Sequence, residues 1–305
     1  MAGAVASSAT VAQVERAIRG NRRDLFGRLF QAILILMLGS AAVTGVPTLM
    51  DRGMSFFTDG NSTISAHAGI AQALVGSLLL MAIVAVVALP IGIGAAIYIE
   101  EYARDTRVTR FINANIRNLA GVPSIVYGLL GLAIFVDALR HVATGIRSTG
   151  SLISGGLTLA VLVLPIVIIT TAEALRAVPT GIREAAYGVG ATRWEVIRSH
   201  VLPYSAPGIL TGVVLTLARA FGETAPLILV GGVKGYFSTG GAGLGEKIFG
   251  DKAYTALPLL IYDWSGRPEH AFKDLAAAAI VVMMVVLLLV NGVAIVMRNR
   301  YERKW

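Results

Sequence analysis

An arginine and a glutamate lie four residues apart in an otherwise apolar stretch, LTLARAFGETAPLIL. Arg219 and Glu223 therefore fall on one face of a predicted helix. Ionisable groups at membrane depth are candidates for function, and an arginine offers a planar fork of donors that suits a tetrahedral oxyanion. Glu223 would neutralise Arg219 when no anion is bound. It would also accept a hydrogen bond from a protonated phosphate, which sulfate at neutral pH does not offer.

The same two residues also fit a purely structural ion pair that holds membrane spans together. The order Arg before Glu is the weaker i,i+4 arrangement on a helix. That order favours partners on other helices, or a substrate, over a simple local pair.

A second polar feature, EAAYGVGATRWEVIRSHVLP at 184–203, lies between two apolar runs. This stretch cannot span a bilayer, because each charge at the hydrocarbon centre costs about 2.5–3.5 kcal/mol. Small residues in its first half would allow close docking into a groove. Its pattern therefore fits a docking element for a soluble partner, and it fits equally an amphipathic helix lying on lipid.

Two short helices joined by a glycine-rich turn are predicted within 184–203. The first begins at Glu184, and Gly188 and Gly190 end it. Thr192 is a plausible N-cap with Glu195 at the capping-box position. The second helix is predicted over 193–201, with Leu202-Pro203 ending it, because proline disfavours helix in the residue before it.

The elements that must position these groups are six apolar segments, several of them as long as the roughly 20 residues that cross a bilayer. We predict an all-α, multi-pass membrane protein. The predicted spans are Phe26–Pro47, Gly69–Ile99, Leu119–Val136, Ser151–Thr171, Pro207–Gly231 and Leu275–Met297.

Basic residues predict the orientation of these spans, because Lys and Arg are more abundant in cytoplasmic loops. The two tails and the loops after spans two and four together hold 16 Lys and Arg residues, and the other loops hold 7. Both termini and the 184–203 stretch are therefore predicted to be cytoplasmic. The 232–272 segment is then predicted to be an outer loop on the opposite side of the membrane. A short amphipathic helix is expected within it, around Leu244–Tyr254.

Composition excludes several classes of function. Only 14% of residues are charged and 55% are hydrophobic, and the net charge is +8. The basic residues cluster at the ends of apolar runs without interleaved stacking aromatics, so nucleic acid is not an expected partner. There are no cysteines, and His67, His141 and His270 are isolated, so no metal site is expected. No Ser/His/Asp signature of a hydrolase appears.

The glycine-rich stretch GGAGLGEK at 240–247 resembles a phosphate-binding loop only superficially. Such a loop needs Gly-Lys-Ser/Thr after its spacer, whereas Glu246 follows Gly245 here. The stretch is also predicted to face away from ATP. We therefore expect this chain to bind no nucleotide and to catalyse no reaction of its own.

Glu184-Ala185-Ala186 is followed by Gly190 and later by Leu202-Pro203. This pattern resembles the EAA loop in permease subunits of bacterial ABC importers. The resemblance implies a type I permease fold in which this loop, as a pair of coupling helices, contacts a cytoplasmic ATPase. His200 stands where that family usually has an isoleucine-like residue.

A second resemblance narrows the family. Two stretches, RAFGETAPLI and NLAGVPSIVYGLLG at 118–131, are similar to the permease subunits of the phosphate-specific ABC importer. Those subunits are of an A-type and a C-type. A third stretch resembles the A-type rather than the C-type subunit; it reads YTALPLLIYDWSGRPEHAFKDLAAAAI. The similarity covers most of 69–305. It implies that Arg219 and Glu223 lie in the anion pathway. Asn118, Gly121, Pro123 and Ser124 would form a pore-lining break in span three, and ordinary helix packing by small residues explains them equally well.

The resemblance also implies partners and an organisation. The partners would be a C-type permease subunit, a cytoplasmic ATPase dimer that binds ATP and Mg, an extracytoplasmic phosphate-binding protein and the lipid bilayer of the bacterial plasma membrane.

Competing interpretations are a permease for sulfate or molybdate and a membrane scaffold or membrane-embedded enzyme without transport. The expected divisions are a cytoplasmic tail at 1–25, a first span and outer loop at 26–68, a permease domain at 69–297 and a cytoplasmic tail at 298–305.

Overall fold

The computed structural model describes residues 35–36, 38–138, 151–232 and 254–301, and all regular structure in these ranges is helical. The α-helices are α1 (38–52), α2 (Ser55–Thr58), α3 (Ala71–Ile97), α4 (Arg107–Ala120), α5 (Ser124–Gly131), α6 (Leu152–Arg176), α7 (Thr180–Gly188), α8 (Arg193–Val196), α9 (Leu202–Gly222), α10 (Ala225–Leu229), α11 (Leu257–Ser265) and α12 (His270–Tyr301). Three π-helical turns extend α3 (Tyr98–Tyr102), extend α5 (Leu132–Ala138) and join α8 to α9 (Ile197–Val201).

Four helical stretches in the described ranges are long and apolar enough to cross a membrane: Ala71–Tyr102, Leu152–Arg176, Arg193–Gly222 and His270–Val293. A fifth candidate is the pair Arg107–Ala120 and Ser124–Asp137, which is bent by 101°. The predicted all-α, multi-pass membrane fold is therefore confirmed. The predicted first span, Phe26–Pro47, lies partly outside the described residues, and its described end belongs to α1.

The long helix α6 is the centre of the fold. Its most apolar stretch is 67% buried, whereas the corresponding stretches of the other three spans are 22–28% buried. α6 packs against both α3 and α9. Small residues let these helices approach closely: Gly92 of α3 meets Val167 of α6, and Gly212 of α9 meets Thr170 of α6.

Buried side chains form three clusters along this bundle. One surrounds Trp264 of α11 and joins it to α2, α9 and α12. The second lies between α3, α5, α6 and α10 and contains Tyr127 and Leu227. The third holds the end of α3 and α6 against α7 and α8, through residues that include Leu175, Ala186 and Val196.

The predicted fifth span, Pro207–Gly231, is wrong in its bounds. α9 begins at Leu202 and ends at Gly222, Glu223 has an extended backbone, and α10 is a separate short helix. Pro226 explains the break, since a proline clashes with the carbonyl four residues earlier, which here belongs to Gly222.

The outer loop was also predicted incompletely. Most of the helix expected around Leu244–Tyr254, and the GGAGLGEK stretch, lie outside the described residues. Tyr254 itself is not helical. The helix α11 was not foreseen, because Leu257–Ser265 is too short to stand out among longer apolar runs.

A close approach in the second cluster gives a test of this packing. A Cβ at Gly76 of α3 would overlap the backbone carbonyl of Thr255, whereas a Cβ at Gly94 of the same helix would meet nothing within 4 Å. We expect Gly76→Ala to destabilise the purified protein by about 1–3 kcal/mol, as overpacking does. The matched Gly94→Ala should be neutral or slightly stabilising. Thermal unfolding in detergent measures both, and equal melting temperatures would contradict the packing described here.

Candidate functional site

Arg219 and Glu223 form an ion pair at the end of α9. The Arg219 Nε and Glu223 Oε1 atoms are 3.4 Å apart, and the side chains are 43% and 17% exposed. Arg219 lies in the last turn of the helix, where a cation is favoured by the helix dipole. Glu223 is the first residue beyond the helix and has φ −76° and ψ 122°.

The sequence order favoured distant partners for Arg219, but the structure shows a local contact. The reason is that Glu223 is not helical, so the orientation preference of helical i,i+4 pairs does not apply to it. The contact is long for a hydrogen-bonded pair, and among the described residues Arg219 has no hydrogen-bond acceptor of normal geometry. Most donors of its guanidinium are therefore available to a bound anion.

The predicted break in span three is present. α4 ends at Ala120, Gly121 caps it, and Pro123 has an extended backbone before α5 begins at Ser124. The hydroxyl of Tyr127 in α5 donates to the carbonyl of Leu119 in α4 at 2.8 Å, and so bridges the bend.

The ion pair and the broken span approach each other. α10, which follows Glu223, packs against α5, and a Cβ at Gly128 would lie 2.8 Å from the Cα of Pro226. Tyr127 is buried here, in the cluster that also holds Leu227 of α10 and Ala220, the residue next to Arg219 in the chain. The structure therefore brings the two stretches RAFGETAPLI and NLAGVPSIVYGLLG together.

The remaining pathway candidates are placed less directly. Asn118 is exposed near the end of α4, and Ser124 is half-buried at the start of α5. In the part of the chain that the structure describes, neither side chain forms a hydrogen bond with Arg219 or Glu223. Tyr127 was missed by the sequence analysis, although it stands inside the stretch NLAGVPSIVYGLLG that drew attention to this break.

The 184–203 stretch forms two helical pieces around a tight turn. α7 is followed by Gly190 at φ +83°, and Thr192 caps α8. The predicted capping box is present: the Thr192 Oγ1 accepts from the Glu195 amide, and the Glu195 carboxylate accepts from the Thr192 amide at 2.7 Å. α7 begins at Thr180, four residues before the predicted start at Glu184.

The predicted end of the second helix at Leu202-Pro203 is wrong. α8, the π-turn Ile197–Val201 and α9 run on as one helical stretch from Arg193 to Gly222. Pro203 lies inside this continuous stretch and lacks the amide proton that an unbroken α-helix would use there. The wider π-turn before it changes the hydrogen-bond spacing at the same place. The segment Thr180–Val201, hereafter the coupling segment, thus continues directly into a membrane helix.

The coupling segment has a buried side and an exposed side. Ala186 is 5% exposed and packs against Leu175 and Val196. Glu184, Ala185 and Gly190 face outward. Three large side chains that the sequence analysis did not single out are also exposed on this segment: Tyr187 at 45%, Val189 at 85% and Trp194 at 54%.

A known family accounts for this architecture. The family described as "Binding-protein-dependent transport system inner membrane component" matches residues 88–304. The chain belongs to this family. It is therefore a transport component and a multi-pass inner-membrane protein, and the match includes the bent pair, the coupling segment and the Arg219–Glu223 pair.

Curated relatives agree with the family. The probable ABC transporter permease protein YqgI of Bacillus subtilis is 34% identical over 68% of this chain and 68% of its own length. Phosphate transport system permease proteins PstA are 38% identical in Mycobacterium leprae and 32% identical in Pasteurella multocida. The alignments cover 67% and 80% of this chain, and 62% and 80% of those proteins.

Solved structures of ABC transporters share the fold of this family member. A chain of an inward-facing MetNI methionine ABC transporter is 18% identical with a TM-score of 0.53, covering 77% of this chain and 95% of that one. A chain of a bacterial alginate ABC transporter, in complex with an alginate-bound periplasmic protein, is 16% identical with a TM-score of 0.64, covering 92% and 95%. The predicted ABC importer permease fold is confirmed.

The positive φ of Gly190 makes the coupling segment testable. A β-branched side chain is strained in this conformation, at a cost of about 1–2 kcal/mol. We expect Gly190→Val to loosen the turn and to speed amide hydrogen exchange in 180–201. The nearby Gly188→Ala, whose new Cβ meets nothing within 4 Å, should leave exchange unchanged. Equal exchange in the two variants would contradict the turn geometry.

Proposed function

We propose that this chain is a permease subunit of an ATP-driven phosphate importer and forms half of the anion pathway. The observation that carries this proposal is Arg219, whose donors are largely unused, beside Glu223 and the break in the bent helix pair. The names of the PstA relatives support phosphate as the anion. The other half of the pathway would come from a second, C-type permease subunit.

The pair suits phosphate for a chemical reason. Arg219 supplies positive charge and donors to the oxyanion. Glu223, as a carboxylate, accepts a hydrogen bond from a protonated phosphate oxygen and repels an anion that carries no proton. Asn118, Ser124 and Tyr127 would lie along the same pathway. Sulfate or molybdate transport is the competing proposal.

Energy would come from a partner ATPase dimer that binds ATP and Mg and docks on the coupling segment. Support comes from the outward-facing Glu184, Ala185 and Gly190, and from the exposed Tyr187, Val189 and Trp194 on the same side. Exposed aromatic residues of this kind are enriched in protein interfaces. Ala186 would shape the segment from its buried side, and Leu202 and Pro203 would join the segment to α9. This chain would then hydrolyse no ATP itself.

The arrangement in the membrane follows the basic residues. We propose that both termini and the coupling segment are cytoplasmic, with tails at 1–25 and 298–305, a first span and outer loop at 26–68 and the permease domain at 69–297. An extracytoplasmic phosphate-binding protein would deliver the anion from the other side. Movement of the ATPase would pull the coupling segment and rotate α6 and α9, so that Arg219 is exposed to one side at a time.

Substrate choice is tested with the purified complex in proteoliposomes, using labelled phosphate and labelled sulfate. We expect phosphate uptake that Arg219→Gln lowers about 10- to 100-fold, the value of a charged hydrogen bond. Glu223→Gln should weaken the discrimination against sulfate. Leu215→Met, on the exposed face of the same helix, is the matched control. A preference for sulfate in the native complex would contradict the phosphate proposal. If Arg219→Gln prevents assembly of the complex, the interpretation of Arg219 and Glu223 as a purely structural ion pair is favoured instead.

ATPase docking is tested separately by co-purification. Trp194→Ala and Glu184→Lys should each reduce recovery of the ATPase with this chain, because they alter the exposed side of the coupling segment. A loss of about tenfold is expected for an aromatic anchor. Met54→Ala removes a large apolar side chain of similar exposure far from the coupling segment in sequence, and it should change nothing. Undiminished recovery in both test variants would refute docking at this surface.

A further inference from the structure

Three consecutive residues at the end of α3 each contact an arginine of the segment that runs from α6 to α8. Glu100 Oε2 accepts a hydrogen bond from Arg176 Nε at 2.8 Å. Glu101 Oε1 accepts one from the Arg183 guanidinium at 2.8 Å. The ring of Tyr102 lies 5.1 Å from the Arg193 guanidinium carbon.

These contacts surround the end of α3. Successive residues of a helix point about 100° apart, so one straight neighbouring helix cannot meet all three. The chain between Arg176 and Arg193 meets all three because it is not one straight helix: it comprises the end of α6, then α7, then the start of α8. The sequence analysis had counted Arg176, Arg183 and Arg193 only as indicators of orientation.

The middle contact differs from its neighbours. Glu101 is 7% exposed and Arg183 is 21% exposed. Arg183 also donates to the carbonyls of Val178 at 2.7 Å and Leu175 at 2.9 Å, which lie where α6 turns into α7. One guanidinium thus joins α3, α6 and α7. A buried pair of this kind is sensitive to the loss of either partner, since the other charge stays buried and uncompensated.

The outer two contacts contribute less to this particular link. Arg176 donates through two nitrogens to Glu100, but it is the last residue of α6 and lies outside the coupling segment, so that contact ties α3 to α6. Arg193 belongs to the coupling segment but lies on the exposed side of α8, where water competes for its charge. The link between α3 and the coupling segment therefore depends chiefly on Glu101 and Arg183, together with the apolar packing of Ala96 against Ala186 and its neighbours.

We propose that Glu101 and Arg183 are positioning residues that make α3 move with the coupling segment. α9 follows that segment through a continuous helix, and α6 precedes it in the chain. Among the described residues, α3 reaches it through side-chain contacts. The buried pair passes a displacement of the coupling segment to α3, which packs along α6 beside the pathway. This role rests on the proposed function, in which an ATPase moves the coupling segment.

The first test uses the full complex in proteoliposomes and measures phosphate transported per ATP hydrolysed. Glu101→Gln keeps the shape of the side chain and removes its charge. We expect this ratio to fall at least about fivefold, a typical allosteric coupling, while the ATPase still co-purifies. Arg183→Lys keeps the charge but replaces the two donating nitrogens Nη1 and Nη2 with a single one, so it should give an intermediate ratio.

The matched control is a neighbouring ion pair without burial. Asp105 and Arg110 are 3.2 Å apart and 83% and 69% exposed. Asp105→Asn should change the ratio by less than about twofold, since exposed pairs contribute little. A native ratio in Glu101→Gln would overturn the proposal. Failure of that variant to assemble would also overturn it, because the pair would then serve folding rather than transmission.

A second measurement does not depend on transport. The chain has no native cysteine, so spin labels can be attached to Arg104→Cys beyond α3 and Ser199→Cys in the coupling segment. Their separation should stay constant on ATP binding in the otherwise native complex and change in Glu101→Gln. An equal response of this separation in the native complex and in Glu101→Gln would overturn the proposed link between α3 and the coupling segment. If the native complex moves no phosphate, the proposed substrate fails, and this distance alone decides the role of the pair.

Discussion

The constraint on which the structure depends is that backbone amides and carbonyls in hydrocarbon must find partners within the protein. Helices meet this requirement along their length and leave it unmet at their ends. Each interruption of a membrane helix must therefore be sheltered by protein or line a polar space. In this chain two interruptions, after Ala120 and after Gly222, lie in segments that pack against each other through α5 and α10.

The charged pair Arg219–Glu223 lies where these two breaks come together. The extended backbone at Glu223 turns the carboxylate back towards Arg219, and Tyr127 ties the two arms of the bent span. An arginine placed in the middle of an unbroken apolar helix would have to snorkel or be neutralised. Beside a break it can keep donors free for an anion. The position of the charged pair and the irregular backbone beside it thus follow from the same requirement.

The second organising feature is the continuous helical connection between the coupling segment and α9. The coupling segment is not a separate module, because α8 runs through a π-turn into α9 without a stop. Its buried side shares a cluster with α6 and the end of α3, and its exposed side carries aromatic residues. A rigid connection of this kind transmits a displacement over its whole length, provided that the neighbouring helices are tied to it. The buried Glu101–Arg183 pair supplies such a tie.

The sequence by itself determined the helical, multi-pass class, the polar stretch at 184–203 with its capping box, the break at Gly121–Pro123 and the presence of Arg219 and Glu223 in an apolar stretch. These features are local: they follow from hydrophobic length, charge cost and the special backbones of glycine and proline. Helix bounds near Pro203 and Pro226 were misjudged, because a proline can begin a helix as well as end one. Only the tertiary structure decided that Tyr127 shares a buried cluster with Ala220 and Leu227, that Ala186 faces inward, and that Glu101 meets Arg183 across 82 positions of sequence. Such pairings depend on how helices pack against one another, and no local pattern encodes that.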